Sequence, residues 1–597
     1  MRVPSMGQEY VKSLGFKCGV EIHQQLLTSK KLFCRCPAGL YSKNHDAEIM
    51  RHMRPTLSEM GVYDGCALME FKTKKEIVYL LNKESVCTYE MDDTPPFPIN
   101  QEALDVAIEI ALLLNCPVVD EMHIARKQYL DGSIPTGFQR TAIVGINGYV
   151  DIPGKRVRVR QLSIEEDACR EVSDERHTIV YRTDRLGMPL IEVVTEPDFE
   201  TPEEAALGVK AIGRLLRATG KVRRGIGAVR QDVNVSIDGG RRVEIKGVPR
   251  YQFIAALTRT EALRQRSLLD LQDELLRRGL TKDTIKTEQM DLTDGFRNTR
   301  SEILKAAMEN GFKIRGIKIS GIEGLLNWKT QPGRSFAHEL SGRVRVIACL
   351  DQIPNIFHTD HYPDYVGAHI DLRRIRNTFQ LQDKDVAIIT WGPEADTITA
   401  CNEIRARVFE AFDGVPNETR QHLRDGLTDF ERILPGADRM YPDTDHPPLR
   451  ITPARVGEIK IGLPEKTKEV EERFRTYGIP EDSIEYLALS GRVNLIDSLA
   501  EGKANMKIVG RLIGQTRRSL ERRGNNFNSI VDETWRRLIK GLDERRIQTK
   551  HFEDIVLELK KDPKQSTDTL LDRFAATISP HEYAAKEDRS RKNKNYS

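Results

Sequence analysis

Three consecutive acids, Glu165, Glu166 and Asp167, follow the strand-like run Val157 to Ile164 within Gln161-Leu-Ser-Ile-Glu-Glu-Asp-Ala-Cys169. Adjacent carboxylates repel one another, and a bound cation relieves that repulsion. A solvated turn relieves it as well, so the triplet alone leaves both readings open. Two further stretches add weight to the cation. In Gly15-Phe-Lys-Cys-Gly-Val-Glu-Ile-His-Gln-Gln-Leu26, Val20, Ile22 and Gln24 alternate with Glu21, His23 and Gln25, which is the pattern of a strand. Glu21 and His23 then leave the same face two residues apart, an arrangement that suits a metal, a proton relay or a plain salt-bridged pair. Leu190 to Thr195 is a β-branched run that encloses Glu192. A carboxylate inside such a strand is costly unless it is paired or bound to a cation.

A fourth stretch, Val229-Arg-Gln-Asp-Val-Asn-Val-Ser-Ile237, places Arg230, Asp232, Asn234 and Ser236 on one face. Across the turn Asp238-Gly-Gly240, Val243-Glu-Ile-Lys246 sets Glu244 and Lys246 on the matching face. Arg, Asp, Asn and Ser together fit a phosphate and its metal, while the plainer alternative is a solvent-facing strand.

These strands need a large scaffold, and 597 residues supply it. About three to five domains is the prior for that length. The chain is 39% hydrophobic and 30% charged, a globular composition, and no apolar run approaches a bilayer span. Met1 to Gly7 carries no signal-peptide core. The nine cysteines are scattered, which argues against a disulfide framework and for a reducing, cytoplasmic setting. Only Cys34-Arg-Cys36 is close-set, and without a second pair it reads as ordinary thiols. A net charge of +3 means that any nucleic-acid partner must be met by a local basic face. Asn100 caps a helix reaching about Asn115, with Leu104, Ile108 and Leu112 on its apolar side. Lys127 to Arg140 reads as a long loop. Ala142 to Ile146 and Tyr149 to Ile152 read as strands joined by a hairpin at Asn147-Gly148. Thr201 caps a second helix, with Pro202 in its first turn.

Taken in order, Gly-Val-Glu-Ile-His-Gln-Gln-Leu, Ser-Ile-Glu-Glu-Asp-Ala, Arg-Leu-Gly-Met-Pro-Leu-Ile-Glu-Val-Val-Thr-Glu-Pro, Val-Arg-Gln-Asp-Val-Asn-Val-Ser and Glu-Ile-Lys resemble the GatB/GatE family. Its members are the tRNA-binding kinase-transamidase subunits of tRNA-dependent amidotransferases. The segment Leu32-Phe-Cys-Arg-Cys-Pro37 and an insertion beyond residue 300 are similar to the archaeal branch. In that insertion Phe312 to Ser320, Val344 to Leu350 and Val386 to Trp391 read as strands, and Thr397 to Phe409 as a helix. It resembles the GAD domain of bacterial-type aspartyl-tRNA synthetases. Glu418-Thr-Arg420 and Tyr441 to Leu449 resemble the segments that complete the family's catalytic cradle.

The resemblance implies an α+β multidomain chain. It consists of a mixed-sheet cradle at 1–300 completed at 413–455, a GAD-like insertion at 301–412, an all-α helical domain at 456–510 and a tail domain at 511–597. In the tail, Arg511, Arg518 and Arg522 share a helical face, and Arg536 and Arg537 add charge. Such helices suit the body of a tRNA, with a salt-bridged solvent face as the alternative. The residues from Lys586 to Ser597 are polar and read as disordered. The implied reaction converts Glu-tRNA(Gln) to Gln-tRNA(Gln) with ATP and Mg²⁺. His23, Glu165 and Glu192 are the implied metal cluster, with Glu21 as a ligand or beside it. Glu165, Glu192, His23 and Lys246 form the implied catalytic set. Arg185, Arg230, Asp232, Asn234 and Ser236 are implied for ATP phosphates or the activated glutamyl group. The chain has no Gly-Ser-rich amidase signature and no asparaginase-like Thr-Gly-Gly-Thr, so it is not expected to release ammonia from glutamine itself; the resemblance implies an asparaginase-like glutaminase subunit, GatD, as the source. The rival class is a non-catalytic tRNA-binding protein with a synthetase-like insert.

Overall fold

A ten-stranded sheet organises most of the chain. Its strands are β1 (Lys17–Gln25), β2 (Ile124–Gln128), β3 (Phe138–Ile152), β4 (Lys155–Glu166), β5 (Pro189–Thr195), β6 (Val229–Ser236), β7 (Val243–Val248), β8 (Glu418–His422), β9 (Thr428–Ile433) and β10 (Met440–Pro442). Their spatial order is β9-β8-β7-β6-β1-β5-β4-β3-β2-β10. Neighbours run antiparallel except β7 and β8, which are parallel. The sheet is therefore mixed, as the resemblance implies. The computed structural model describes residues 8–57, 61–434, 436, 439–525, 527 and 529–575. It divides into Met1–Ile212 with Ile226–Ile461, and Gly213–Gly225 with Gly462–Ser597.

β1 lies between β5 and β6, so both of its edges are paired. Ile22 is fully buried on one face and His23 is only 7% exposed on the other. The helix Gln101–Leu113, capped by the Asn100 side chain on Ala103 N, packs against the sheet where predicted. The helix Pro202–Ala218 begins as predicted, with Glu204 N donating to Thr201 Oγ1.

Asn147-Gly148 does not turn the chain. β3 runs unbroken through it for 15 residues, and the reversal into β4 falls at Pro153-Gly154, where Ile152 opposes Lys155. Gly148 answers a different demand. The helix end packs so close that a Cβ there would lie 2.3 Å from Cys116 Sγ and 2.5 Å from the Leu114 carbonyl oxygen. Tyr149 N donates to that same carbonyl. Close backbone approach, not hairpin geometry, selects the glycine.

The insertion is an α+β module around a four-stranded sheet. One strand of that sheet, Thr287–Asp291, lies before residue 301 and pairs with Lys313–Ile319. Lys313–Ile319, Val386–Gly392 and the helix Glu394–Glu410 fall where predicted. Val344 to Leu350 is not a strand; it is the end of the helix Phe336–Ile347 and its exit. Phe336, Leu340, Val344 and Ile347 recur at helical spacing and are all buried, and Ser335 with His338 closes a capping box. The β-branched run Val344-Arg-Val-Ile347 suggests a strand only while that longer period is overlooked.

In the second unit, one apolar cluster extends from Val470 to Leu571 around Phe474, Leu495, Ile513, Trp535 and Phe552. The expected boundary at 510/511 falls inside this cluster, at the start of a π-helix over Gly510–Thr516. Lys586 to Ser597 lie outside the described residues. Among the described residues no helix is long and apolar enough to cross a membrane.

Candidate functional site

Strand register gives one face of the sheet a continuous polar row. His23 stands opposite Glu192 on one side and Arg230 on the other. Glu21 stands opposite Asp232, and Asn234 opposite Glu244. Glu165 lies two residues from Ser163, which opposes Glu192, and Lys127 opposes Gln139 two residues from the partner of Glu165. Alternation carries all of these side chains to the same face.

The expected trio converges. His23 Nε2 is 3.4 Å from Glu192 Oε1 and 3.7 Å from Glu165 Oε1. Ligand atoms of Glu21, His23 and Glu192 all lie within 4.8 Å of one another. Between the two glutamates stands a residue the sequence reading places in a loop. Lys127 Nζ donates to Glu165 Oε2 at 2.9 Å and lies 3.6 Å from Glu192 Oε2. Lys127 is in β2, a short strand without a β-branched run, so only its pairing with β3 and β10 marks it as a strand.

Burial would raise the Glu192 carboxyl, but Lys127 and His23 outweigh it and hold it well below the usual range. Burial would lower His23, yet the bond to Glu192 and the charge of Asp232 raise it. Glu21 moves the other way: burial, then the charges of Glu192, Glu244 and Asp232, push it up to about 7. His23 Nδ1 is buried without a hydrogen-bond partner, 4.0 Å from Asp232 Oδ2.

Glu21 also belongs to a second group. Its ligand atom and those of Asp232 and Glu244 lie within 4.8 Å of one another. Lys246 Nζ is 3.9 Å from Asp232 Oδ2 and 3.7 Å from Glu244 Oε1. Asn234 Nδ2 donates to Glu21 Oε1 at 3.0 Å. Two carboxylate groups thus share Glu21, and each is faced by a lysine. Such oxygen-rich sets suit a hard divalent cation, with His23 as the one nitrogen donor.

The acidic triplet is neither a solvated turn nor a set of ligands for one cation. Glu165, Glu166 and Asp167 are 2%, 5% and 0% exposed. Alternation sends Glu166 to the opposite face, where Tyr89 Oη donates to Oε1 at 2.6 Å. Asp167 accepts from Gln25 Nε2 at 2.7 Å and Arg230 Nη1 at 3.1 Å. Three partners in three directions relieve the repulsion. Asp167, which the sequence reading names in the triplet without a role at the site, holds Arg230 in place. Arg185 donates to the carbonyls of Ala168 and Cys169 and lies 3.7 Å from Asp167. Ser236 sits at the far end of the row, opposite Lys17.

Away from this face, Cys34, Cys36, Cys87 and Glu90 bring their ligand atoms within 4.8 Å of one another. The fold supplies to Cys34-Arg-Cys36 the partners that its sequence neighbourhood lacks. Buried Lys31 donates to Glu90 Oε1 at 2.8 Å. Three thiols and a carboxylate are a donor set of the zinc type.

In the second unit Arg511 and Arg522 are exposed, and Arg518 lies over the Tyr486 ring at 5.5 Å. The π-helix over Gly510–Thr516, which contains Arg511, shifts the phase of the expected face before Arg518. Arg536 and Arg537 both pair with Glu533, and Arg537 also meets Asp568.

A family model described as the GatB/GatE catalytic domain matches residues 16–457. Curated relatives extend the likeness over most of the chain. A protein of Sulfurisphaera tokodaii is 39% identical over 92% of this chain and 87% of its own length. One from Saccharolobus islandicus is 38% identical over 93% of this chain and 87% of its own. One from Methanocaldococcus jannaschii is 37% identical over 94% of this chain and 89% of its own. All three are named as glutamyl-tRNA(Gln) amidotransferase subunits of the E type.

Proposed function

This chain belongs to the GatB/GatE family, and from that premise we propose that it is the component of a glutamyl-tRNA(Gln) amidotransferase that converts Glu-tRNA(Gln) to Gln-tRNA(Gln). The γ-carboxylate of the tRNA-linked glutamate attacks the γ-phosphorus of ATP, releasing ADP and leaving an acyl phosphate. Ammonia then attacks the acyl carbon, phosphate departs, and the attacking nitrogen loses a proton. The first step makes phosphate the leaving group, which a free carboxylate lacks. Catalysis of both steps is positioning and charge neutralisation.

The observation that carries this reading is the meeting of His23, Glu165 and Glu192 at one point of the polar face. Glu21, His23, Glu165 and Glu192 would hold Mg²⁺. The depressed Glu192 carboxyl and the crowding of Glu21 fit a cation there. The ion when bound would neutralise phosphate charge. Lys127 stands between Glu165 and Glu192 and helps to hold the Glu192 carboxyl low. Lys246 and Arg230 stand on the same face as cations for phosphate oxygens, each held in reserve by carboxylates, Lys246 by Asp232 and Glu244 and Arg230 by Asp167. Ammonia is supplied by an asparaginase-like glutaminase partner, GatD. The arginines of the second unit, Arg511, Arg518 and Arg522, meet the tRNA backbone.

The test supplies ammonium directly. Purified chain, ATP, Mg²⁺ and Glu-tRNA(Gln) yield Gln-tRNA(Gln) with ammonium and none with glutamine alone. No product with ammonium overturns the function. Equal product from glutamine without a partner overturns the division of labour.

A further inference from the structure

The carboxylates along the polar row have partners within the chain. Glu165 and Glu192 face Lys127 and His23, Asp232 and Glu244 face Lys246, and Glu21 accepts from Asn234. Glu431, at the edge of the same face, departs from this pattern. The residue as a whole is half-buried, but its Oε2 is sealed from solvent and has no hydrogen-bond partner.

A β-bulge places it there. β9 pairs with β8 through Arg432 opposite Thr419 and Phe430 opposite Arg420, so Glu431 is the extra residue. Phe430 turns into the apolar core with Met69 and Ile347. Thr419 Oγ1 donates to Glu244 Oε2 at 3.3 Å, which marks the polar face, and Arg432 is opposite Thr419. A bulge disrupts strict alternation and re-aims a side chain. Glu431 accordingly reaches the charges of Lys246, Arg432, Asp232 and Glu244. Both cations are already engaged. Lys246 lies between Asp232 and Glu244, and Arg432 donates to Glu70 at 3.3 Å and lies 3.9 Å from Asp131.

A buried carboxylate oxygen with no donor opposes folding, and a ligand that brings the donor removes that opposition. Glu431 belongs to no group of three or more metal-ligating side chains among the described residues. The substrate of the proposed reaction offers a cation of its own. Its γ-carboxylate is the reacting group and its α-carboxyl is an uncharged ester, which leaves the α-ammonium.

We propose that Glu431 accepts the α-ammonium of the tRNA-linked glutamate and so sets the reach of its γ-carboxylate along the polar face. The assignment rests on the transamidation reading above. It makes the site selective for esters with a free amino group, and it makes Glu431 a substrate-positioning residue.

The experiment compares Glu-tRNA(Gln) with its N-acetylated form in the ammonium reaction, using the full chain and Glu431→Gln. Acetylation removes the cation and leaves the γ-carboxylate intact. In the unaltered chain it lowers kcat/KM by about tenfold or more, the size of one charge-assisted hydrogen bond. In Glu431→Gln the free-amino substrate loses a similar factor, mostly in KM, and acetylation adds little. Glu431→Asp, which keeps the charge, restores part of the discrimination. The discrimination is a ratio of two substrates on one preparation, so a partly folded variant does not distort it. Discrimination that persists unchanged in Glu431→Gln overturns the assignment. An unaltered chain inactive on both substrates overturns the reading beneath it instead.

Discussion

Lys127 Nζ lies 2.9 Å from Glu165 Oε2, although β3 separates the strands that carry them. Burial would lower the lysine, but Glu165 and Glu192 outweigh it and keep it charged. The ammonium therefore stands beside two carboxylates that would otherwise repel one another. A divalent cation at Glu21, His23 and Glu192 would take over part of that task.

Lys127→Met is expected to lower stability by about 3–5 kcal/mol in the absence of divalent ions, the usual cost of removing one partner from a buried pair. Mg²⁺ should then raise the melting temperature of the variant more than that of the unaltered chain. Thermal unfolding with and without Mg²⁺ measures both. Equal Mg²⁺ shifts in the two proteins would mean that lysine and metal do not serve the same carboxylates.

Glu165→Gln separates chemistry from binding. It leaves the strand intact and removes one charge beside His23. Phosphate release from ATP that depends on Glu-tRNA(Gln) should vanish, while tRNA affinity stays within about twofold, because uniform binding is untouched. The two are read by a phosphate assay and a filter-binding titration. Loss of both would point to misfolding and leave Glu165 without a catalytic role.

Glu70 gives the pH dependence a defined sign. It is largely enclosed on the helix Gly65–Lys72 beside Arg432, and desolvation pushes its carboxyl up to about 7. A raised carboxyl pKa means that the folded chain holds the proton more tightly than the unfolded one. The stability this confers is complete below the ordinary value of 4.5 and is lost as pH rises to about 7. Glu70→Gln lacks this term. The melting temperature of Glu70→Gln relative to the unaltered chain should therefore climb from about pH 4.5 to about pH 7 and then level off. A difference that stays flat over that range would refute the assignment.

The candidate site was largely legible because its ligands sit in strands whose alternation can be counted. Glu21, His23, Glu192 and the Arg230 to Ser236 face needed only a period of two to be placed on common faces. The placing of Lys127 and the role of Asp167 were not legible. Lys127 lies in a short strand that is specified by its neighbours rather than by its own residues, and Asp167 lies one step beyond the end of β4. The Cys34 group was hidden because Cys87 and Glu90 join it only through tertiary contact. Asn147-Gly148 misled for the opposite reason. A local turn signal was present, but the glycine serves a helix that packs against it from elsewhere in the chain.

Gly148→Ala tests that last point. In a hairpin turn the added methyl would meet solvent. Here it would meet Cys116 Sγ and the Leu114 carbonyl oxygen, well inside contact distance. The expected loss is about 1–3 kcal/mol, typical of forced overpacking. Gly154→Ala, at the actual reversal, meets no atom within 4 Å, so its cost arises from its φ of +79° alone. Denaturant titration of the two variants, with Cys116→Ala added to each, distinguishes them. Only the Gly148 variant should be partly rescued by shortening Cys116.

Arg264 decides whether the insertion is a separable module. Its side chain is fully buried and pairs with Glu261 on its own helix, Ile254–Arg277. It also pairs with Glu339 on the insertion helix Phe336–Ile347 and with Glu418 on β8. Arg420 joins the same carboxylates at Glu339 and Glu418. The insertion therefore donates a carboxylate to a charge network rooted in the main sheet. Removing Glu339 would leave Arg264, Arg420 and Arg407 short of a counter-charge, and removing Arg264 would leave three buried acids with Arg420 and the more distant Arg407. Arg264→Met should lower stability by about 3–5 kcal/mol. Because one network spans both parts, calorimetry should show the insertion and the ten-stranded sheet still melting together at the lower temperature. If the insertion instead unfolds in its own transition, unchanged by Arg264→Met, the network does not couple the two and the insertion folds by itself.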